Sequence, residues 1–358
     1  MHAPSQTTPA PRPVRIWLVI GVVMIFFQVV IGGVTRLTGS GLSITKWEIV
    51  LGTFPPLNAE QWQAAFDAYQ ATPQYQKINE GMSLSDFKFI YFWEYFHRLW
   101  ARTMGFVFLI PFILFWRKGW LSRQLMRRLG IVALLAALAA SLGWIMVASG
   151  LVNRPWVNAY KLTLHLSVAL SCYGFLLWTT FGAWNPSPEL FPHPGLRKLL
   201  KTIFLVAAVQ IVLGGIVSGM KAAMVYPTWP DMHGALIPDI LLDIQQWNVE
   251  NFVQYDSTPF MPALIQLMHR TTAYLLVGLV LIWTWRAYPL SRHYTHRFGI
   301  ASLPLLIGIQ AVLGIFTLIY SVGIIPVGLG VFHQAGALCV LSILLYLLYF
   351  LPVHNKKV

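Results

Sequence analysis

The sequence predicts an all-α polytopic membrane protein. Its eight transmembrane helices are expected to form two pseudo-symmetric four-helix bundles, with both termini cytoplasmic. Three observations predict this. Of 358 residues, 57% are hydrophobic and 10% are charged, and the mean hydropathy is +0.62. That balance leaves too little polar surface to wet a soluble domain. Eight apolar runs are each long enough to cross about 30 Å of hydrocarbon at about 1.5 Å per residue. Polar landmarks recur between the two halves of the chain, so the eight runs divide into four and four.

The first run, 16 to 34, follows a polar, Pro-rich opening. That opening has neither a small-residue cleavage site nor an Arg/Ser-rich amphipathic presequence, so the run is expected to remain as a span. The outer loop from 35 to 87 is not all coil. After Asn58 as a cap, Trp62, Phe66 and Tyr69 recur at helical spacing with Glu60 and Asp67 between them, which predicts a short helix on the membrane surface. Runs 88 to 116, 129 to 150 and 160 to 182 complete the first bundle, residues 1–182. Residues 183–196 carry Pro186, Pro188, Pro192 and Pro194, a density no helix continues through, and are expected to form a cytoplasmic linker. The second bundle, residues 197–358, has runs 197 to 218, 262 to 285, 298 to 320 and 326 to 351, with an outer loop from 219 to 261.

A net charge of +13 raises the question of nucleic acid, but the distribution of charge excludes that partner. Arg12 and Arg15 precede the first span. Arg117, Lys118, Arg123, Arg127 and Arg128 fill the second loop, Arg197, Lys198 and Lys201 close the fourth, and Arg286, Arg292 and Arg297 occupy the sixth. Lys356 and Lys357 end the chain. All are on one side, the cytoplasmic one by the positive-inside rule. Asp67, Asp86, Asp231, Asp239, Asp243, Glu250 and Asp256 fall on the other. The expected surroundings are membrane lipid, and a bacterial inner membrane is the simplest address. Cys172 and Cys339 both lie in apolar runs and read as packing residues, so no thiolate metal motif or disulfide is available in the outer loops.

The internal duplication is carried by residues that hydrophobic composition does not generate. Gln28, Gly32 and Gly33 recur as Gln210, Gly214 and Gly215, and Trp47 recurs as Trp229, all displaced by 182 residues. His97-Arg98 recurs as His269-Arg270 after 172 residues, and His165 as His333 after 168. The shrinking offset points to shortened loops with every helix retained. Four spans return the chain to the same side, so the two units stand parallel about an axis along the membrane normal. A weaker third copy of Gln-x-x-x-Gly runs from Gln310 to Gly314.

His97, His165, His269 and His333 each lie near the start of an even-numbered, inward-running span. The next polar residue at the inner face follows after 20, 20, 17 and 23 residues respectively. At about 1.5 Å per residue these separations match the hydrocarbon thickness, so all four imidazoles sit near the outer interface. A neutral imidazole in lipid is costly unless paired or ligated. Two at equal height in each bundle predict two bis-histidine hemes, with their propionates toward the outer polar zone. Zinc would need further ligands that the pattern lacks. Arg98, Arg102 and Arg270 follow the histidines, placed either to meet propionates or to snorkel to headgroups. Glu94 is the only carboxylate within a predicted span, on the helix face of His97, and its counterpart is Gln266. A carboxylate in a dry pocket can shuttle protons. One unit thus reads as equipped for chemistry, the other for storing or passing electrons.

With these residues in view, the chain resembles heme A synthase, in the variety found in proteobacteria and mitochondria. The resemblance runs over nearly the whole chain. It rests on Gly32-Gly33-Val-Thr-Arg36-Leu-Thr-Gly-Ser-Gly-Leu-Ser leading to Trp47 and Pro55-Pro56, on Glu94-Tyr-Phe-His97-Arg98, on Gly143-Trp-Ile-Met-Val-Ala-Ser-Gly-Leu151, and on His333-Gln. It implies oxidation of the C8 methyl of heme O to the formyl group of heme A by successive hydroxylations, the gem-diol then losing water. It also implies substrate heme O between His97 and His165 with Glu94 handling protons, and resident heme B on His269 and His333, with Arg98 and Arg270 at the hemes. The cysteine pair that some members carry in an outer loop is missing, so its redox role does not transfer. Implied partners are heme O synthase, cytochrome oxidase assembly factors and an electron-transfer protein that the sequence does not name. A homo-oligomer is compatible with the pattern. Two other classes share the histidine arrangement: a di-heme b-type electron-transfer cytochrome, and a carrier of heme O or A for oxidase assembly.

Overall fold

The computed structural model describes residues 8–46, 54–151, 155–186, 193–291 and 297–351. Eleven helices and no strand form among them, as a lipid environment requires of backbone groups that have no water to bond. In chain order they are α1 (Arg12–Leu37), α2 (Ala59–Gln70), α3 (Pro73–Lys77), α4 (Leu84–Arg117), α5 (Arg123–Gly150) and α6 (Ala159–Trp184). These are followed by α7 (Pro194–Gly219), α8 (Val249–Val253), α9 (Phe260–Ala287), α10 (Arg297–Ile319) and α11 (Val327–Phe350). Eight of them, α1, α4, α5, α6, α7, α9, α10 and α11, are long and apolar enough to cross a membrane. Trp47, Pro188, Pro192, Arg292, Lys356 and Lys357 lie outside the described residues.

Most spans outrun the apolar runs that predict them. Arg12, Arg15, Arg117, Arg123, Arg127, Arg128, Arg286 and Arg297 stand inside the ends of helices, not in loops as expected. Long basic side chains reach headgroups from a helix end, so the helix has no reason to stop at the edge of the hydrocarbon. Where helices do begin, side chains cap them. Ser83 Oγ accepts from Asp86 N, Ser122 from Leu125 N, and Asn158 Oδ1 from Tyr160 N and Lys161 N. The expected short helix forms as α2, capped by Asn58 on Gln61 N. It packs Phe66 and Tyr69 against Phe87 and Ile90 of α4.

Packing follows the duplication. In the first unit α1 lies on α4, α5 on α6 and α1 on α6. In the second α7 lies on α9, α10 on α11 and α7 on α11. The units meet through α6 on α7, its mate α11 on α1, and α6 on α11 at the centre. At one seam α6 and α7 approach so closely that a Cβ on Gly219 would stand 2.7 Å from the Cα of Ala159. One contact breaks the symmetry. α9 packs along α10, whereas their counterparts α4 and α5 make no comparable contact among the described residues.

Two large apolar cores fill the halves of the bundles away from the histidines. Leu18, Leu125, Leu129, Tyr173 and Leu176 serve the first unit, and Leu200, Ile203, Val280, Trp283, Ile300 and Leu303 serve the second. At the histidine end a third apolar core, with Leu213, Met220, Tyr255, Phe260 and Ile265, joins α7, α9 and the loop between them, and the polar residues that the two halves share lie at this same end.

Candidate functional site

All four histidines stand in the N-terminal halves of their helices, and each ring rests on a glycine of the span before it. A Cβ added to Gly32 would lie 3.0 Å from Cε1 of His97, and one on Gly143 3.1 Å from that of His165. On Gly214 it would lie 3.1 Å from Cε1 of His269, and on Gly314 2.9 Å from that of His333. Carbon atoms in comfortable contact need about 3.5–4.0 Å, so any residue larger than glycine would press on the ring. One construction therefore occurs four times. Within the first unit His97 and His165 lie in electrostatic reach of one another, and within the second His269 and His333 do.

A glutamine one turn before three of these glycines attends the ring. Gln28 Nε2 lies 3.3 Å from both Nε2 and the backbone oxygen of His97, and Gln210 Nε2 lies 3.3 Å from His269 Nε2. Gln310 Nε2 donates to the backbone oxygen of His333 at 2.7 Å. The fourth position is Ala139, whose carbonyl accepts from His165 Nδ1 at 2.8 Å. The third Gln-x-x-x-Gly copy is thus a full member of the set. Its mate in the first unit escaped the sequence pattern because Ala139 to Gly143 keeps only the glycine. Among the described residues, Nδ1 of His97, His269 and His333 and Oε1 of Gln28, Gln210 and Gln310 are buried without a hydrogen-bond partner. Each such group costs about 1–3 kcal/mol, so a cluster of them marks a place built for a ligand.

The arginines after His97 and His269 clamp equivalent stretches of outer loop, which sequence reasoning did not foresee. Arg98 donates to the carbonyls of Ile44 at 3.4 Å and Lys46 at 3.3 Å. Arg270 donates to those of Tyr226 at 3.2 Å and Thr228 at 2.7 Å, the positions displaced by 182 residues, and also to Pro230 and Asp231. Its Nε is buried without a partner among the described residues. The loops themselves match. Gly39 and its mate Lys221 both have positive φ, 69° and 52°, and each leads into a short 3-10 turn. At the seam Arg36 donates to Ser218, its own symmetry mate.

Glu94 breaks this symmetry chemically. It is 3% exposed, and its Oε1 pairs with Arg98 Nη2 at 2.5 Å, the single ion pair among the described residues. Its Oε2 accepts from Ser43 Oγ at 2.8 Å and Ile44 N at 2.7 Å. Gln266 instead donates to the Tyr226 carbonyl at 3.0 Å and leaves its Oε1 unpartnered among the described residues. The carboxylate therefore joins the helix of His97 to the loop above it, in one unit only. His233 is exposed and His193 opens α7; neither belongs to the paired sites. His2, His293, His296 and His354 lie outside the described residues.

A family model described as COX15-CtaA, cytochrome oxidase assembly protein, matches residues 15–345. The chain belongs to this family. Relatives named heme A synthase agree with that assignment. The one from Nitrosospira multiformis is 40% identical over 348 residues, covering 96% of this chain and 94% of the relative. That from Flavobacterium johnsoniae is 38% identical over 341 residues, covering 94% and 97%. That from Sinorhizobium medicae is 40% identical over 340 residues, covering 94% and 89%. The COX15-CtaA match takes in both units and all four histidines, so the duplicated polar construction belongs to the matched region as a whole. This COX15-CtaA member is a multi-pass membrane protein, and both of its cysteines sit in spans.

Proposed function

We propose that this chain is a heme A synthase, oxidising the C8 methyl of heme O to the formyl group of heme A for cytochrome oxidase assembly. The observation that carries this reading is the pair of imidazole sites seated on glycine, of which one alone has a buried carboxylate within a turn. In this reading His97 and His165 hold the substrate by its iron, and His269 and His333 hold a resident heme B. The donor set fits, because two imidazoles in each unit with buried polar atoms left over are what an iron porphyrin would complete. Heme B would supply one-electron redox chemistry.

The chain's own residues do the rest. Arg98 and Arg270 fasten the outer loops over the two sites, and the remaining Nε of Arg270 is a donor for a propionate. Turning a methyl group into a formyl group by way of hydroxylated carbons requires protons to be moved at the reacting centre, and the Glu94 carboxylate is a group in the first unit able to hold or pass them. Gln266 has no such capacity, which suits a unit that only holds its heme. The missing contact between α4 and α5 favours access for the farnesyl tail of heme O from the lipid, on the substrate side alone. With the basic helix turns inward, the termini are cytoplasmic and both sites lie near the periplasmic face of a bacterial inner membrane. Heme O synthase is then the upstream supplier, and residues 1–182 and 197–358 are the catalytic and heme B units.

The test is the heme inventory of the purified chain co-expressed with a heme O synthase. Wild type should yield heme B together with heme O or A, and Glu94→Gln should keep both sites loaded while heme A formation stops. Undiminished heme A from Glu94→Gln would remove the carboxylate from the chemistry. His269→Ala should abolish the heme B spectrum, and its persistence would move the resident group to the other unit.

A further inference from the structure

The four histidines share a seat but not a second hydrogen bond. His165 alone has its Nδ1 anchored: the acceptor is the Ala139 carbonyl, so the proton is on Nδ1 and the Nε2 lone pair points away from the helix that seats the ring. Such a bond fixes the tautomer and raises the basicity of the ligating nitrogen. His97 is held the opposite way. Its Nδ1 has no partner among the described residues, and its Nε2 faces the amide nitrogen of Gln28, which has only protons to offer. The lone pair of His97 that would bind iron is therefore already engaged. In the second unit neither Nδ1 is anchored: Gln310 turns its amide to the backbone of His333, and His269 faces Gln210 at 3.3 Å as His97 faces Gln28, so the anchored His165 is what sets the first unit apart.

We infer that the first unit binds its iron porphyrin unequally, with His165 as the permanent axial ligand, His97 as the displaceable one, and Gln28 as the residue that makes it so. The inference rests on the proposed function, because it assigns a porphyrin to that unit. It answers a difficulty in that reading: iron gripped equally on both faces has no open position, whereas iron with one weak ligand can open on the His97 face. Gln28 is a positioning residue, acting through His97. The anchoring atom at position 139 is a backbone carbonyl, which explains why no side-chain pattern announced it.

The test uses the full chain with heme B in the second unit as an internal folding control, titrated with heme O. His97→Ala should retain heme O in a high-spin form that binds carbon monoxide when reduced, and added imidazole should restore the low-spin spectrum. His165→Ala should hold heme O roughly 10- to 100-fold more weakly than His97→Ala, the range typical of lost outer-shell support at a metal. Gln28→Leu, which leaves both histidines in place, should strengthen the His97 ligand and slow carbon monoxide binding by about tenfold or more. Equal heme O affinity in the two histidine variants, or an unchanged rate in Gln28→Leu, would overturn the unequal grip while leaving the enzyme reading intact. Failure of the wild type to take up heme O at all, with the heme B spectrum normal, would overturn both.

Discussion

Replacing Gly314 by alanine places a methyl carbon 2.9 Å from Cε1 of His333 and 3.5 Å from both ring nitrogens. Carbon contacts settle at about 3.5–4.0 Å, so the ring must retreat by roughly 0.6–1 Å. α10 cannot give way easily, because it packs on both α11 and α9. Overpacking of this kind costs about 1–3 kcal/mol, partly offset by at most about 1 kcal/mol from the better helix propensity of alanine. The effect on a ligand is larger than the effect on the fold, since a metal site tolerates only about 0.5 Å of misplacement. Gly314→Ala should therefore lower heme affinity in the second unit by about 10- to 100-fold, with a modest loss of thermal stability. Gly308→Ala is the control on the same helix, where no atom lies within 4 Å of the new carbon, and it should be neutral or slightly stabilising. The assay is heme titration followed by absorbance, alongside thermal unfolding in detergent. The reasoning is refuted if the two variants take up heme equally well, for then the glycine is not what seats the ring.

Three other outcomes are expected. Arg270→Gln deserts four loop carbonyls and should destabilise the second unit by roughly 3 kcal/mol or more, with faster amide exchange over residues 226–231; exchange unchanged there would dissociate the arginine from the loop. Gly219→Ala should lower the thermal midpoint through about 1–3 kcal/mol of overpacking, because the obstacle is the Ala159 backbone and not a movable side chain; a neutral variant would argue against the close α6–α7 approach. Asp231, outside the spans, has its carboxyl held below its ordinary value of 3.8, first by the Thr228 hydroxyl and then by the Gly234 backbone. A depressed carboxyl stabilises the loop above its unfolded pKa and loses that contribution as pH falls through the folded one. Amide protection over 228–235, relative to the intrinsic exchange rate at each pH, should accordingly fall on acidification below about pH 4, and Asp231→Asn should abolish that dependence.

Much of this architecture was legible because lipid imposes few choices. Eight runs of apolar residues became eight spans, and Asn58 with Trp62, Phe66 and Tyr69 became α2. The misplacement of the basic residues, expected in loops and found in helix turns, has a simple cause: hydropathy marks where the lipid ends, while the backbone continues until a cap or proline stops it. The site was half legible. Histidine, glutamine and arginine are rare enough in spans for their repetition to stand out, but Gly143, Ala139 and the loop carbonyls carry no unusual side chain to notice.

The amino-acid sequence by itself determined the number of spans, the duplication, the place of His97, His165, His269 and His333 in the first half of their helices, and the asymmetry of Glu94 against Gln266. These follow from hydrocarbon thickness and from the cost of polar groups inside it, which depend on composition and spacing alone. Only the tertiary structure decided that each imidazole rests on a glycine of the neighbouring span, that Arg98 and Arg270 grip equivalent loops, that α4 stands apart from α5, and that His165 alone is anchored. Those are contacts between segments distant in the chain, often through backbone atoms, and backbone atoms are the same in every residue until the fold brings particular ones together.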